Sequence, residues 1–251
     1  MINISNISCV IIAKNAEKTI DKTLKSLISF NEVIVYSNDS VDDTDNIAKS
    51  YKNVKLIQGE FLGFGETKNK AASYATNEWI LSLDSDEVLS EAFVNVLKNI
   101  DLKSTNVYSI TRENYYKDQL IKYCWGDDII VRIYNKNITS FNTKKVHEYV
   151  LSNTLNIVNI EEVVKHFPYS SISDFIVKLD RYSTIYAQDN VGRKKSSPFK
   201  AFFNANFSFF KTYFLKRGFL DGYAGLIIAF SHMATNFYKY MKLYELNKEQ
   251  N

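Results

Sequence analysis

Apolar residues near the start of the chain form first an unbroken run and then a spaced stripe. Residues 7–13 (Ile-Ser-Cys-Val-Ile-Ile-Ala) are rich in β-branched side chains and show no alternation, which predicts a strand covered on both faces. In the next segment, apolar residues recur at the spacing of one helix face: Ile20, Leu24, Leu27 and Ile28. The sequence therefore predicts a buried strand followed by an amphipathic helix.

The same alternation continues through the first hundred residues. Strand-like runs return at 33–36, 54–57 and 79–83, and helical patterns lie between them at 44–51 and 67–75. Short buried strands that alternate with helices are typical of βαβ units with right-handed crossovers. We therefore predict an α/β fold, with a mostly parallel sheet flanked by helices.

The pattern changes further along the chain. A helix that begins after Ser90 and strands over 107–111 and 129–134 are still predicted for the middle part. Towards the C-terminus only helical patterns remain. We therefore expect two parts, an α/β domain over residues 1–168 and a helical extension over residues 169–251.

The composition is that of a globular protein. Of 251 residues, 45% are hydrophobic and 24% are charged, which excludes a long disordered region. Two cysteines, Cys9 and Cys124, lack the spacing of a metal site or disulfide framework, so we expect buried thiols in a reducing cytosol. The apolar run at 224–234 is about half of the roughly 20 residues that span a bilayer, and we expect neither export nor a transmembrane helix.

Charge is distributed unevenly along the chain. Lys and Arg number 10 against 14 acidic residues in 1–100, 8 against 8 in 101–164, and 13 against 6 in 165–251. The segment 199–244 also contains 15 aromatic residues. Basic, aromatic helices suit an anionic membrane surface that they touch without crossing. The alternative is that these rings pack on the catalytic domain or on a second subunit.

Three acidic side chains follow the strand that ends at residue 83, in the run Asp84-Ser85-Asp86-Glu87. Ligands bind at strand ends in open α/β sheets, and clustered carboxylates there are costly unless a cation compensates them. Oxygen ligands favour Mg²⁺ or Mn²⁺, often together with phosphate oxygens. The competing interpretation is a solvated acidic turn before the helix at Ser90.

Two further segments carry residues suited to a nucleotide. Gly63-Phe64-Gly65 precedes a predicted helix with Lys68 in its first turn, where a lysine can reach phosphate oxygens. Such glycines can also simply shape a turn. The polar run 37–44 follows the second strand and can bind a nucleoside or cap a helix.

Candidates for proton transfer lie in the middle of the chain. Trp125-Gly126-Asp127-Asp128 precedes a strand, and a carboxylate near a reacting hydroxyl can act as a general base. His147, in Val146-His147-Glu148, is either a metal ligand or a hydrogen-bonded surface histidine.

The order of these segments resembles a family-2 glycosyltransferase with a GT-A fold. Later motifs resemble the branch that builds lipopolysaccharide or lipooligosaccharide cores: Trp125-x-x-Asp128-x-x-x-Arg132, Val146-His147-Glu148, His166-x-Pro168-Tyr169 and Gly218-Phe219-x-Asp221-Gly222. The resemblance extends over nearly the whole chain and implies an inverting, metal-dependent hexosyltransferase.

The resemblance also implies roles for individual residues. Lys68 would neutralise the diphosphate, Asp84 would face the ribose and metal, and Asp86 would ligate Mn²⁺ or Mg²⁺ directly, with His147 as a further ligand. Family members usually carry an aspartate after the second strand to read uracil, whereas this chain has Ser37, so either Asp39 or a backbone amide is expected to read the base. The remaining residues expected in the nucleotide-sugar pocket are Ala13, Asn15, Glu17 and Ser85.

The implied reaction is attack of an acceptor hydroxyl on the anomeric carbon of a nucleotide-sugar. We expect Asp128 to be the base, with Asp127 as a competitor. The expected donor is UDP-glucose or UDP-galactose, and the expected acceptor is a lipid-linked saccharide such as a lipooligosaccharide core. The protein would then lie in the cytoplasm, in peripheral contact with the inner membrane, without a nucleic-acid partner; a homo-oligomer stays open.

Two other functions remain as alternatives. A sugar nucleotidyltransferase also uses an α/β sheet and acidic metal ligands, but it would begin with a glycine-rich, arginine-bearing loop where this chain has Ala13-Lys14-Asn15-Ala16. The other alternative is a catalytically inactive relative that serves as a membrane-adjacent scaffold. Ser37 in place of the expected aspartate favours that alternative, and the intact Asp84, Asp86, Asp128 and Lys68 oppose it.

Overall fold

A computed structural model describes residues 4–126, 128–143 and 148–250. The chain forms two compact units. The sheet unit consists of Met1–Glu113 and Asp127–His166, and the helical unit consists of Asn114–Gly126 and Phe167–Asn251. The short segment Asn114–Gly126 thus belongs with the C-terminal helices, although the sequence offered no signal that would separate it from the first 168 residues.

The first half of the sheet is parallel. Its strands lie in the order β3-β2-β1-β4, and helices connect them along the chain. The elements of this half are β1 (Ile7–Ala13), α1 (Ile20–Lys25), β2 (Val33–Ser37), α2 (Thr44–Lys49), β3 (Val54–Gln58), α3 (Phe64–Ser73) and β4 (Trp79–Asp84). The central strand β1 is buried along nearly its whole length, as its uninterrupted apolar run predicts.

The second half of the sheet is mixed, because β8 pairs antiparallel with β4 and β6, and β5 pairs antiparallel with β9. From β4 onward the order is β8-β6-β9-β5, and β7 pairs with β6 at the side. These elements are β5 (Glu87–Leu89), α4 (Glu91–Asn99), β6 (Asn106–Tyr116), β7 (Gln119–Leu120), β8 (Asp128–Asn135) and β9 (Asn156–Tyr169). The predicted α/β class with flanking helices and a helical C-terminal part is confirmed.

The sheet is mixed, however, where a mostly parallel one was expected. Parallel neighbours need a crossover of a dozen or more residues, usually a helix. In its described part, residues 117–126, the connection from β6 to β8 holds a turn and the two-residue strand β7 but no crossover helix, and these strands pair antiparallel.

The main core lies in the sheet unit. It contains β1, β2 and β4 residues together with apolar residues of α1 and α4, among them Leu24 and Phe93. The helix α4 begins where expected, because the Ser90 hydroxyl accepts a hydrogen bond from the Phe93 N–H at 3.1 Å. Cys9 is a buried thiol in this core, as expected.

The helical unit is built from three long helices with irregular turns between them. It contains α5 (Ile172–Asn190), α6 (Pro198–Phe210), a π-helical turn (Lys211–Leu215), a 3-10 turn (Gly218–Asp221) and α7 (Gly222–Glu249). Pro198 begins α6, and the Ser197 hydroxyl caps it by accepting the Lys200 N–H. The helix α7 packs against both α5 and α6.

The Gly218–Gly222 motif has a structural role in this unit. Asp221 is buried, and its carboxylate accepts the backbone N–H groups of Lys122, Tyr123 and Cys124 at 2.9–3.1 Å. A Cβ at Gly225 would lie 1.8 Å from the carbonyl oxygen of Gly218, so only glycine permits this close approach. Both contacts fix loops of the helical unit.

The described helices include none whose length and apolar character would allow it to cross a bilayer.

Candidate active site

The carboxyl ends of the parallel strands bring the predicted site segments together. In the sheet register, Ala13 at the end of β1 lies opposite Ser37 at the end of β2, and Ile12 lies opposite Asp84 at the end of β4. Ligands of open α/β sheets bind at this edge. Residues that are far apart in the sequence therefore share one place in the fold.

A depression in the surface lies at the opposite edge of the same sheet. This polar cleft of about 400 Å³ is formed by residues at the amino ends of the strands: Ser5, Asn31, Glu32, Lys52, Asn53, Val54, Lys55, Thr76 and Asn77. The candidate catalytic and binding residues lie at the carboxyl ends of the strands and not at this cleft. We therefore place the candidate active site at the carboxyl edge of the sheet.

Two residues expected in the nucleotide pocket hold the loop after β2. Asn15 adopts a left-handed conformation (φ 52°), its N–H donates to the Ser40 hydroxyl at 3.2 Å, and its Oδ1 accepts the Val41 N–H at 2.9 Å. The Glu17 carboxylate accepts the Asp43 N–H at 3.2 Å. Asn15 and Glu17 thus shape the loop that the nucleotide would meet.

Ser37 and Asp39 differ in their surroundings. Ser37 is fully buried, and its hydroxyl lies 3.0 Å from the Ser40 hydroxyl as a hydrogen-bond donor. Asp39 is exposed in a left-handed conformation (φ 51°) that aspartate tolerates. Of these two residues, Asp39 presents a carboxylate at the binding edge.

Cationic side chains hold both carboxylate oxygens of Asp84. Lys68 donates to Oδ1 at 2.9 Å, and Arg132 donates to Oδ2 at 2.5 Å. Burial alone would raise the pKa of Asp84, but the charges of Arg132, Lys68 and Arg112 outweigh it and hold this pKa well below its ordinary value. Asp84 therefore stays ionised at neutral pH.

Lys68 is buried and bridges two acids. Besides Asp84, its ammonium group contacts the Glu148 carboxylate at 3.0 Å. Lys68 can reach this position because Gly65, one turn earlier on α3, lets the helix approach the chain at Asn142, where a Cβ would lie 1.8 Å from a carbonyl oxygen. The expected contact of Lys68 with a diphosphate would require it to exchange one of these two partners.

Glu87 joins the acidic turn to two arginines. It is fully buried, and its Oε1 accepts hydrogen bonds from Arg112 at 2.9 Å and Arg132 at 3.2 Å. Its Oε2 accepts the backbone N–H of Asp84 at 2.9 Å. The same turn is fixed from the other side, because the Thr23 hydroxyl donates to the Ser85 carbonyl at 3.0 Å.

Asp128, the expected base, lies at the start of β8 beside Arg112. These two residues are opposite each other in the β6–β8 register. The Nε and Nη2 atoms of Arg112 donate to Oδ2 of Asp128 at 2.9 and 2.5 Å. The competing base, Asp127, lies outside the described residues.

These contacts join seven side chains, which we call the charge cluster: Lys68, Asp84, Glu87, Arg112, Asp128, Arg132 and Glu148. Sequence reasoning assigned no role to Glu87, Arg112, Arg132 or Glu148. Arg132 and Glu148 lie within sequence motifs on which the family resemblance rests, whereas none of those motifs includes Arg112. Burial lowers the pKa of Arg132, but Asp84 and Glu87 outweigh it and raise this pKa.

Asp86 contacts a histidine that the sequence did not assign. His166 on β9 pairs with Glu87 in the β5–β9 register, and its Nε2 lies 3.5 Å from Oδ1 of Asp86. His147, the expected metal ligand, lies outside the described residues. The part of the chain described contains no group of three side chains arranged to hold a metal.

The donor atoms present nevertheless fit a divalent cation that phosphate and water help to ligate. Asp86 offers a carboxylate and His166 an imidazole, and Mg²⁺-type sites commonly use one or two protein groups together with substrate phosphates. Together with Asp86, the charge cluster contains five carboxylates against three cationic side chains. This surplus of negative charge favours a cation.

Comparison with known proteins shows the family to which the chain belongs. Residues 8–164 match the family model Glycosyl transferase family 2. An uncharacterised glycosyltransferase of Rickettsia typhi is 31% identical over 256 residues, which cover 96% of this chain and 87% of that protein. Another from Rickettsia prowazekii is 31% identical over 261 residues, covering 98% of this chain and 89% of that protein.

A solved structure, Staphylococcus aureus TarS 1–349 in complex with UDP, aligns with 98% of this chain and 92% of that chain. Its TM-score is 0.49 at 18% identity. Because this similarity is low, the assignment to a family comes from the sequence comparisons.

Replacing Asp84 by Asn should destabilise the protein. Lys68 and Arg132 would each lose one of two acidic partners while still buried, so we expect a loss of unfolding free energy below the roughly 3–5 kcal/mol that an uncompensated buried charge typically costs. Urea titration at pH 7 measures the unfolding free energy. The matched control is Asp118→Asn, on an exposed turn, which should change the unfolding free energy little.

Wild type and Asp84→Asn together also test the lowered pKa of Asp84. The pKa of Asp84 is lower in the folded than in the unfolded state. The contribution of Asp84 to the unfolding free energy is therefore complete above the unfolded-state pKa of about 3.9, and it declines as the pH falls towards the folded-state pKa. The stability gap between wild type and Asp84→Asn should therefore narrow below about pH 4. A gap that stays constant down to acid unfolding would contradict the ion pairing.

Proposed function

Because this chain belongs to glycosyl transferase family 2, we propose that it transfers a hexose, with inversion, from UDP-glucose or UDP-galactose to a lipid-linked saccharide such as a lipooligosaccharide core. One observation carries the proposal. The acidic turn at Asp84 and the base candidate Asp128 belong to one charge cluster at the carboxyl edge of the sheet, joined by Arg112. A donor and an acceptor hydroxyl bound there would be within reach of the same side chains.

The nucleotide would bind along the ends of β1 and β2. Ala13 and Ser37 pair in the register there, and the loop held by Asn15 and Glu17 forms the adjacent wall. Asp39 is the exposed carboxylate of this loop, so we assign uracil recognition to Asp39 and a structural role to Ser37. Ser85 lies on the turn that would face the ribose.

The residues that would hold a divalent cation are Asp86 and His166, with Asp84 and His147 as the further candidates. A bound Mn²⁺ or Mg²⁺ would act as a Lewis acid towards the leaving diphosphate. Lys68, the fifth residue of the helix α3, would add positive charge on the same side once it exchanges a carboxylate for phosphate. Asp84 is the weaker candidate because both of its oxygens accept hydrogen bonds from cationic side chains.

Asp128 would accept the proton of the acceptor hydroxyl. The acceptor oxygen forms a bond to the anomeric carbon, the bond from that carbon to the diphosphate breaks, and the leaving group takes the electron pair. Arg112 binds Oδ2 of Asp128 through both contacts, which orients the carboxylate and directs Oδ1 to the proton. Arg112 is therefore a positioning residue in this mechanism.

The acceptor class follows from the helical unit. Its basic and aromatic C-terminal part is suited to the cytoplasmic face of an inner membrane, where a lipid-linked saccharide would be available. The competing function is an inactive, membrane-adjacent scaffold. The observation in its favour is that Asp128 is neutralised by Arg112, as a purely structural carboxylate would be.

UDP binding should depend on the metal and on Asp86. Calorimetric titration of wild type with UDP should give binding that is strengthened by Mn²⁺. Asp86→Asn and His166→Ala should each weaken the Mn²⁺-dependent affinity by at least about tenfold, and Asp118→Asn should bind as wild type does. Equal affinities for wild type and Asp86→Asn in the presence of Mn²⁺ would contradict the assignment of the ligand.

Transfer should depend on Asp128 more strongly than binding does. Asp128→Asn should lower kcat by about 10²–10⁴-fold and leave UDP affinity nearly unchanged, because the base acts only on the acceptor proton. Release of UDP from a UDP-hexose in the presence of a lipid-linked acceptor measures the rate. If wild type transfers sugar and Asp128→Asn does so at the same rate, another group is the base; if wild type binds UDP and transfers no hexose offered, the scaffold is favoured.

A further inference from the structure

The helix α6 has its apolar face turned outward. The side chains that it buries are small, Ala201 and Ala205, each at most 1% exposed. Five of its six phenylalanines are instead exposed to solvent by about half or more, Phe199 73%, Phe202 56%, Phe203 52%, Phe207 60% and Phe210 48%, whereas Phe209 is half-buried. In a surface helix whose outer side faces water, the apolar side chains would point to the core and the polar side chains to solvent.

These phenylalanines form a continuous stripe. Phe199, Phe203, Phe207 and Phe210 are spaced by four, four and three residues, which places them within an arc of about 80° on an α-helix. Ala201 and Ala205 lie on the opposite side of the helix. Phe214, in the π-helical turn, follows the stripe and is 50% exposed. We call this set the phenylalanine face.

The apolar surface continues from α6 to α7. A groove of about 300 Å³ lies between the two helices, and all but one of its lining residues are apolar or aromatic: Phe202, Ala205, Asn206, Phe230, Met233, Ala234, Phe237 and Tyr238. Exposed apolar areas of this extent mark interaction surfaces in proteins that are stable in water. The helical unit therefore presents one extended apolar surface.

The surroundings of this surface are positively charged. Between residues 193 and 244 the chain has nine Lys and Arg residues and a single acid, Asp221. Asp221 is 3% exposed and binds backbone N–H groups, so it contributes little negative charge to the surface. Lys200 and Lys211 lie beside the phenylalanine stripe on the helix wheel.

The charge decides between the partners that an apolar face can have. A second copy of this chain would bring two surfaces of the same positive sign together, which is unfavourable. An anionic bilayer offers hydrocarbon for the rings and negative head groups for the lysines. No described helix is suited to crossing a bilayer, so contact would be made from one side.

We propose that the phenylalanine face of α6 inserts into the interface of an anionic phospholipid bilayer, with α6 lying along the membrane surface. This inference deepens the proposed function, since it names the surface on which the protein would meet a lipid-linked acceptor. It does not depend on the transfer chemistry, because the residues involved are outside the charge cluster.

Sedimentation with vesicles tests this proposal on the full chain. Vesicles of phosphatidylethanolamine and phosphatidylglycerol should bind wild type. The variant Phe199→Ser/Phe203→Ser/Phe207→Ser should show a partition coefficient lower by on the order of 100-fold. The matched control removes three exposed apolar side chains from the sheet unit, Ile28→Ser/Ile138→Ser/Ile157→Ser, and should bind as wild type does.

A charge arm and an assembly arm complete the experiment. Lys200→Gln/Lys211→Gln should weaken binding at low salt and make it less sensitive to salt, and vesicles of phosphatidylcholine alone should bind poorly. Equal binding of wild type and the phenylalanine variant, or no binding of wild type to anionic vesicles, would overturn the proposal. The proposal would also be overturned if wild type is a dimer in sedimentation velocity and the phenylalanine variant is a monomer. A second copy of the chain would then cover the phenylalanine face.

Titration with UDP separates this proposal from the proposed function. The phenylalanine variant should bind UDP as wild type does, which also shows that it is folded. If the protein binds vesicles but not UDP, the bilayer surface is retained and the proposed UDP-hexose donor is rejected.

Discussion

Burial of the Glu87 carboxylate is the constraint on which the site depends. An ionised carboxylate without solvent is costly unless cations and hydrogen bonds compensate it. Arg112 and Arg132 supply the charge, and the backbone N–H of Asp84 occupies the other oxygen. Since both arginines also bind catalytic candidates, the requirement of one buried acid determines where the others lie.

Two consequences follow for the reaction that we propose. Arg112 connects Glu87 to Asp128, so the base candidate is oriented by the same ion pairs that fix the acidic turn. Asp84 is neutralised by Lys68 and Arg132, and Asp86 lies beside His166. In the proposed mechanism Glu87 has a structural role, Asp86 would bind the metal and Asp128 would be the base. Buried ion pairs of this kind specify an arrangement more than they add to stability.

The sequence predicted those features that depend on local pattern. The run at 7–13 is the buried strand β1, Ser90 caps α4, and Asp84 lies at the end of β4. The antiparallel direction of β8 was missed because the direction of a strand depends on the length of its connections and on its partners, which apolar periodicity does not encode. Arg112 was missed for a similar reason, since only the β6–β8 register brings it to Asp128. The orientation of α6 was not predictable either, because periodicity reveals an apolar face and not what covers it.

The central claim is that the carboxyl edge of the sheet, organised by Glu87, is the donor site. A crystal structure of the protein with UDP and Mn²⁺ tests this most directly. We expect uracil beside Asp39, Mn²⁺ in contact with Asp86 and His166, and Asp128 still bound to Arg112. Nucleotide at the opposite edge of the sheet, in the cleft lined by Glu32 and Asn77, would contradict the claim.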